Sequence, residues 1–472
     1  MEPVLPFKIE LQQEYFMAQG RVDSNQEASR DRLDMKKILP VFMIVVIDLL
    51  GLTIIIPLMP LYAASFGANP FMIGLLGAAY PITQFVGAPL LGRFSDRWGR
   101  RPVLLISQIG TLIGFLVLGF SDALWLLFLA RMIDGISGAN IATAQAVISD
   151  VTNEKTRTQG LGLIGAAFGI GFVIGPVLAF IALALSGNNY HVPAFVAAAF
   201  SAASIAMTWF LLPETHPEHS EYKADGGEKS LTLQAMLRAI RLPQIGVLLG
   251  LIFMQQLAFG GFEQLLSLFT LERLGLNASG NAVIFVFVGV LVVAVQGGLI
   301  GPWSRRWGDR RLVFLGLLTL AIGLVLISFT PREPVPWYSQ QELTQELQSS
   351  GSFRTHENPT TQHVGVTLPS DQKTGWYGLG WILVAMIPTA IGGGILQPSI
   401  NSMLTKRVTT GEIGGILGIS SALLSGANAV APIVGGALFD LFGATVPFLV
   451  FGLIMAALFI GALRLIRPAA EP

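Results

Sequence analysis

Cysteine is absent from this chain of 472 residues. Neither a disulfide nor a thiolate metal site is therefore available to it. Histidine is scarce as well, and all five (His191, His216, His219, His356 and His363) fall in polar loops or at the ends of apolar runs. Proton chemistry inside an apolar segment must then use carboxylates. Charge is thin: Asp, Glu, Lys and Arg together make 12% of the residues against 52% apolar, and mean hydropathy is +0.64. Such a chain cannot offer water an ordinary surface, so lipid is its main solvent. No GxxxxGKS/T loop occurs, which argues against ATP as an energy source, and GxSxG, HExxH and CxxC are missing too. No nucleic acid, metal or organic cofactor is expected, and no nucleophile–base pair suggests an enzyme.

What is present is a series of twelve apolar runs, near 38–63, 71–92, 102–120, 122–149, 158–186, 193–212, 244–270, 281–302, 312–330, 376–404, 413–439 and 445–466. Each is close to the roughly 20 residues that a spanning helix needs. The expected class is an all-α membrane protein. Residues 1–37 are polar, lack the apolar core of a signal peptide and are expected to be a cytoplasmic N-terminal tail. A six-helix bundle over 38–212 is followed by a polar linker at 213–243. The second bundle covers 244–466, interrupted by a polar insertion at 331–375 expected to be a solvated or lid-like outer loop, and 467–472 form the C-terminal tail. Of the 29 Lys and Arg, 24 lie on the side of the two tails, four on the other side, and one, Arg131, within a run. The positive-inside rule then places both termini in the cytoplasm of an integral plasma (inner) membrane protein.

The turn GRFSDRWGRR, Gly92 to Arg101, joins the second and third runs, and GPWSRRWGDR, Gly301 to Arg310, repeats its Gly, Ser, Arg, Trp, Gly and Arg at the same places. The chain is two related halves, the parallel duplication expected of many secondary transporters. GRFSDRWGRR resembles the GxxxDRxGRR loop signature of the major facilitator superfamily, with Gly92, Asp96, Arg97, Gly99, Arg100 and Arg101 in register. The resemblance implies the major facilitator fold, with 12 transmembrane helices in two pseudo-symmetric six-helix bundles. It also implies that Asp96, Arg100 and an acid at the end of the fourth helix, here Asp150, form a charged latch on the cytoplasmic side. Arg100 stands at i, i+4 from Asp96, within reach of its carboxylate. In the second copy Arg305 replaces the signature Asp and Asp309 replaces Arg100, so an equivalent latch is in doubt there.

Three further stretches resemble the drug–proton antiporters of that superfamily. In the first run, Asp48, Gly51, Pro57 and Pro60 match DxxGxxxxxPxxP. A charge at mid-bilayer costs at least about 3 kcal/mol, so Asp48 is expected to face a cavity and find a partner. In the fourth, Arg131, Gly135 and Gly138 of RMIDGISGAN resemble RxxxGxxGA, which implies a part for Arg131 in proton coupling. Asp134, one turn on, is a natural counter-ion. In the fifth, Gly165, Gly169, Gly171, Gly175 and Pro176 resemble the exporter signature GxxxGxxxGPxxGG, although Ala179 and Phe180 stand where its last two glycines would be. Small residues permit close helix approach, and a proline frees a carbonyl, so this helix can bend and slide.

In the second half Glu263 is an acid inside an apolar run, placed near its outer end. Gln255, Gln256, Gln296, Gln397, Ser399 and Asn401 suit hydrogen bonding to a substrate or to a neighbouring helix. The reading that follows is a monomeric secondary transporter, exporting a small amphipathic compound in exchange for protons, with the proton gradient as its energy source. Asp48, or otherwise Glu263, is the expected proton carrier. Proton-coupled uptake and a transporter-derived sensor are the alternatives.

Overall fold

The structure is a computed structural model that describes residues 35–138, 140–152, 156–215, 241–242, 244–350, 365–408 and 413–466. The tails expected at 1–37 and 467–472, most of the 213–243 linker and residues 351–364 of the insertion lie outside the described residues, apart from 35–37 of the first tail. Among the described residues there is no strand, and eleven helices are long and apolar enough to cross a membrane.

The first crossing combines α1 (Met35–Ile55) and α2 (Met59–Ser65), which part around Pro57. A proline cannot donate to the helical ladder, so the break falls there. Next come α3 (Pro70–Trp98), capped by the side chain of Asn69 on the amide of Met72, and α4 (Arg100–Gly119). The fourth apolar run is not one helix but two, α5 (Leu124–Ser137) and α6 (Asn140–Val151), each too short to span alone. Gly135, Ser137 and Gly138 crowd the break. Glycine weakens a helix, and Ser137 Oγ bonds back to Ile133 O at 2.5 Å, competing with the ladder.

The first half closes with α7 (Arg157–Ser186) and α8 (His191–Leu211). In the second, α9 (Ile245–Leu274) leads to α10 (Ala278–Val293), which passes through a π-helical turn (Ala294–Leu299) into α11 (Ile300–Trp307). Then follow α12 (Asp309–Ser328), α13 (Gln340–Ser350), α14 (Tyr377–Thr405), α15 (Ile413–Phe442) and α16 (Val446–Leu465). The insertion expected as a loop thus contains a helix, α13. Ser339 caps it by accepting from the amide of Glu342 at 3.3 Å, and Leu343 and Leu347 bury one stripe of it.

The halves meet along two seams, α3 against α15 and α7 against α10. We call the side carrying Met35 and Ile466 the tail side. At the far side the backbones almost touch: a Cβ on Gly74 would stand 2.2 Å from Pro432 O, and one on Gly436 would stand 2.6 Å from Pro70 O. Ser267 Oγ also donates to Pro57 O across the halves at 2.9 Å. On the tail side the same helices stand apart, since a Cβ on Gly92, Gly165, Gly297 or Gly415 would meet nothing within 4 Å. The conformation is closed at the far side and open toward the tails.

Candidate functional site

Between the halves lies a cavity of about 800 Å³, reaching from the level of Leu266 to the tail-side residues Gly165, Gln296 and Asn401. Phe168, Phe172, Phe259, Phe262 and Phe285 supply much of its wall, and a ring of amides supplies the polar part. Gln255, Gln256, Gln296, Gln397 and Asn401, proposed from sequence, all line it, joined by Gln84, Gln264 and Asn428. Gln256 donates to Asn428 Oδ1 at 2.8 Å, and Asn401 accepts from Ser420 Oγ at 3.1 Å. Gln296 sits in the π-helical turn, where an extra residue in the turn re-aims the side chains. Ser399 is buried outside the lining.

Among the described residues, only two formally charged side chains line this cavity, Arg131 and Glu263. Sequence grouped Glu263 with the cavity residues while placing it toward the outer end of its run; the structure puts it in the cavity wall, partly exposed, with no hydrogen bond or ion pair among the described residues. Its depth has a geometric cause. Residues of α9 beyond Glu263 extend for three further turns, packed among the far-side helices, so that the carboxylate stays at cavity depth. Arg131, in contrast, is engaged. Its Nη1 donates to Asp134 Oδ2 at 3.0 Å, and its guanidinium carbon stands 4.6 Å from the centre of the Tyr80 ring. A guanidinium stays charged, so a carboxylate and an aromatic face are the partners expected of it in lipid.

Asp48 and Asp134 do not line the large cavity, contrary to their grouping with it from sequence. They line a separate polar pocket of about 20 Å³, room for about one water, together with Thr111, Gly138 and Asn140. The pocket exists because the fourth segment breaks. Asp134 lies in the last turn of one half-helix and Asn140 begins the next, and Asn140 Nδ2 donates to Asp48 Oδ2 at 2.8 Å. The carbonyl of Gly138, freed at the break, accepts from Gln84 Nε2 at 2.8 Å. Asp48 Oδ1 and Asn140 Oδ1 are buried with no hydrogen-bond partner among the described residues. Tyr80 and Leu52 line both the pocket and the cavity and form the partition between them. Tyr80, Gln84 and Asn140 were missed from sequence. Asn140 belongs to the GISGAN stretch, and Tyr80 and Gln84 stand one turn apart in α3, but nothing local shows which way they face.

The exporter-like glycines act as a packing surface. Gly175 lies so close to α1 that a Cβ would stand 2.1 Å from Thr53 Oγ1, and Gly171 meets Leu49 Cβ at 3.3 Å. They press α7 onto the helix that carries Asp48, with Pro176 inside α7 just beyond. Gly165 and Gly169 line the cavity instead.

At the tail side Arg100 bonds Asp96 through Nη1 and Asp150 Oδ2 through Nε at 3.0 Å. Glu214 accepts from the amides of Arg100 and Arg101 at 2.9 and 3.1 Å, beside Gly99 at φ +99°. Arg101 also donates to Trp209 O at 2.6 Å, while Arg97 is exposed and Gly92 has open space beside it. All these partners lie in the first half, as an open tail side requires. The second copy, doubtful from sequence, has a counterpart of reversed polarity. Asp309 accepts from Ser304 Oγ at 2.5 Å, Ser402 Oγ at 2.6 Å and Lys406 Nζ at 2.5 Å. An acid takes the place of Arg100, and a lysine at the end of α14 takes that of Asp150.

The sequence profile of the Major Facilitator Superfamily matches residues 41–339 and 368–472. The chain belongs to this superfamily. It is accordingly an integral membrane transporter of small molecules, not an enzyme. The class B tetracycline resistance protein of Escherichia coli is 26% identical over 400 residues, 84% of this chain and 87% of that protein. Multidrug resistance protein 1 of Bacillus subtilis (strain 168) is 27% identical over 398 residues, 84% of this chain and 87% of that protein. Among solved structures, the human organic anion transporter MFSD10 (TETRAN) aligns with TM-score 0.56 at 22% identity, covering 91% of this chain and all of that one. The nucleoside transporter NupG aligns with TM-score 0.66 at 12% identity, over 92% and 99%. These two show the fold alone.

Proposed function

We propose that this transporter exports a small amphipathic compound in exchange for protons by alternating access. The observation that carries the reading is the cavity itself: aromatic and amide-lined, open on one side, with one unpaired carboxylate, Glu263, facing it. An ionisable group within the membrane that lacks a counter-ion invites one from its ligand. A cationic or metal-chelated compound with an apolar body fits that wall. The likeness to tetracycline and multidrug resistance proteins supports the same class of substrate.

In this reading the tail side is cytoplasmic, where 24 of the 29 Lys and Arg lie, and the cavity loads from the cytoplasm. The chain then closes over the substrate at the tail side and opens at the far side. A proton arriving there neutralises an intramembrane carboxylate. Glu263 is the group whose neutralisation would release a cationic substrate, and Asp48 is the second proton carrier, in the pocket behind Tyr80. Because Arg131 crosses that partition to pair with Asp134, a change of charge in the pocket alters the field that Glu263 feels in the cavity. No ATP or bound cofactor is needed, and the proton gradient supplies the energy.

The test is uptake of tetracycline or ethidium into inverted vesicles with and without a proton gradient. Gradient-dependent uptake that is lost in Asp48→Asn or Glu263→Gln supports the reading. Gradient-driven movement in the opposite sense would favour proton-coupled uptake.

A further inference from the structure

The far-side insertion carries a carboxylate that joins the two halves. Leu343 and Leu347 anchor α13 in the fold against α2, and Glu346, next to Leu347, is thereby held at the seam. From the first half, in the turn between α7 and α8, Asn188 Nδ2 donates to Glu346 Oε2 at 3.1 Å and the Tyr190 hydroxyl donates to Oε1 at 3.3 Å. From the second half, Asn277 Nδ2 donates to Oε2 at 3.1 Å. Asn277 is also the cap of α10, accepting from the Gly280 amide, and Ser279 on the same turn donates to Asn188. The seam is thus a single polar knot with Glu346 at its centre.

Among the described residues every donor to this carboxylate is neutral. Tyr190 is the one titratable side chain among its hydrogen-bond partners. Behind Tyr190 stands Tyr62, ring centres 5.9 Å apart, which bonds His191 Nδ1 at 2.8 Å, with Asp122 the next charge beyond. On α13 itself the other acid, Glu342, is exposed. A carboxylate taken from water into such a seam loses solvation and, among the described residues, gains no cation.

We propose that Glu346 is a proton-binding site on the far side, and that its protonation favours closure of the far side and so the tail-side-open carrier. The direction follows from linkage. Burial at the seam pushes the Glu346 carboxyl up, against the downward pull of its three hydrogen bonds. When the halves part at the far side, the side chain returns to water and to the ordinary value of about 4.3. The closed state is therefore the better proton binder, and acid on the far side stabilises it. The preference is complete below the ordinary value and fades as pH rises through the raised one. For an exchanger, the proton that arrives on the far side thereby assists the return to the loading conformation. The seam is the same whatever compound the cavity carries.

The absence of cysteine permits a direct test. Spin labels on Ala123→Cys, in the first half, and Phe329→Cys, exposed at the far-side end of α12 in the second half, report the far-side separation by electron–electron distance measurement in lipid nanodiscs at about pH 5 and about pH 7.5. The expected result is a short distance that gains population at the lower pH. Glu346→Gln, which mimics the protonated acid, should hold the short distance at both values. Glu346→Ala should also lose the pH response, with the longer distance enriched. The response should survive in Asp48→Asn/Glu263→Gln. No response in the labelled parent chain, or one kept by Glu346→Gln and Glu346→Ala, overturns the proposal. So does a response abolished by removing Asp48 and Glu263 alone.

Discussion

Asn140 donates its side-chain amide to Asp48 at 2.8 Å, tying the first membrane segment to the start of a half-helix in the fourth. The contact depends on the break at Gly138, because an unbroken helix would carry Asn140 past that level on another face. Replacing Asn140 with Ala leaves a buried carboxylate oxygen without its donor. The expected cost is about 1–3 kcal/mol. A fall in the thermal midpoint in detergent, with Asn140→Ser falling less, checks it.

The pair of Arg131 and Asp134 is buried on both sides, with side-chain exposures of 13% and 5%. Removing one partner strands the other charge, at about 3–5 kcal/mol. Arg131→Gln and Asp134→Asn are each expected to lower thermal stability. In the double variant the loss should be smaller than the sum, since neither charge is left alone. Strict additivity would show that the pair is not coupled.

The glycines of α7 divide by position. A methyl on Gly175 would collide with Thr53, whereas one on Gly165 would enter open space. Gly175→Ala is expected to cost about 1–3 kcal/mol through overpacking. Gly165→Ala should leave the thermal midpoint unchanged or raise it slightly, by the helix preference of about 0.5–1 kcal/mol. Equal losses in both would mean that the motif serves backbone flexibility and not the contact with α1.

At the tail side of the second half, Asp309 is nearly buried while Lys406 is 65% exposed. The two ends of that ion pair should respond unequally. Lys406→Gln removes an exposed charge and is expected to change stability by less than about 1 kcal/mol. Asp309→Asn weakens the bonds from Ser304 and Ser402 as well, and is expected to cost about 1.5–3 kcal/mol. Thermal midpoints of the two variants, compared in one detergent, decide it.

Glu263 and Asp48 occupy different compartments, so their variants should fail differently in transport. Glu263→Gln is expected to weaken binding of a cationic probe by about tenfold or more, the loss of about 1.4 kcal/mol of charge pairing in a desolvated site. Asp48→Asn should spare binding and abolish its response to the proton gradient. Equilibrium binding and vesicle uptake, measured side by side, separate the two.

Much of this protein was legible without coordinates because the relevant signals are local. Low charge with long apolar runs requires a membrane, since lipid satisfies no backbone polar group and only self-contained helices can cross it. The repeat of GRFSDRWGRR as GPWSRRWGDR implies two halves, and the crowding of Lys and Arg on one side is the basis for expecting both termini in the cytoplasm. Sequence could also say that Asp48, Arg131, Asp134 and Glu263 each needed a partner or a cavity, because a charge in hydrocarbon is too costly to leave alone. It could not say which. One residue along a helix turns the side chain by about 100°, and a break at Gly138 changes both depth and direction. Only the packed helices decided that Glu263 faces the large cavity, that Asp48 shares a small pocket with Asp134, that Asp309 finds Lys406 from another helix, and that Glu346 lies between the halves. Those pairings join residues as far as 158 positions apart, and such contacts are set by packing that no local pattern encodes.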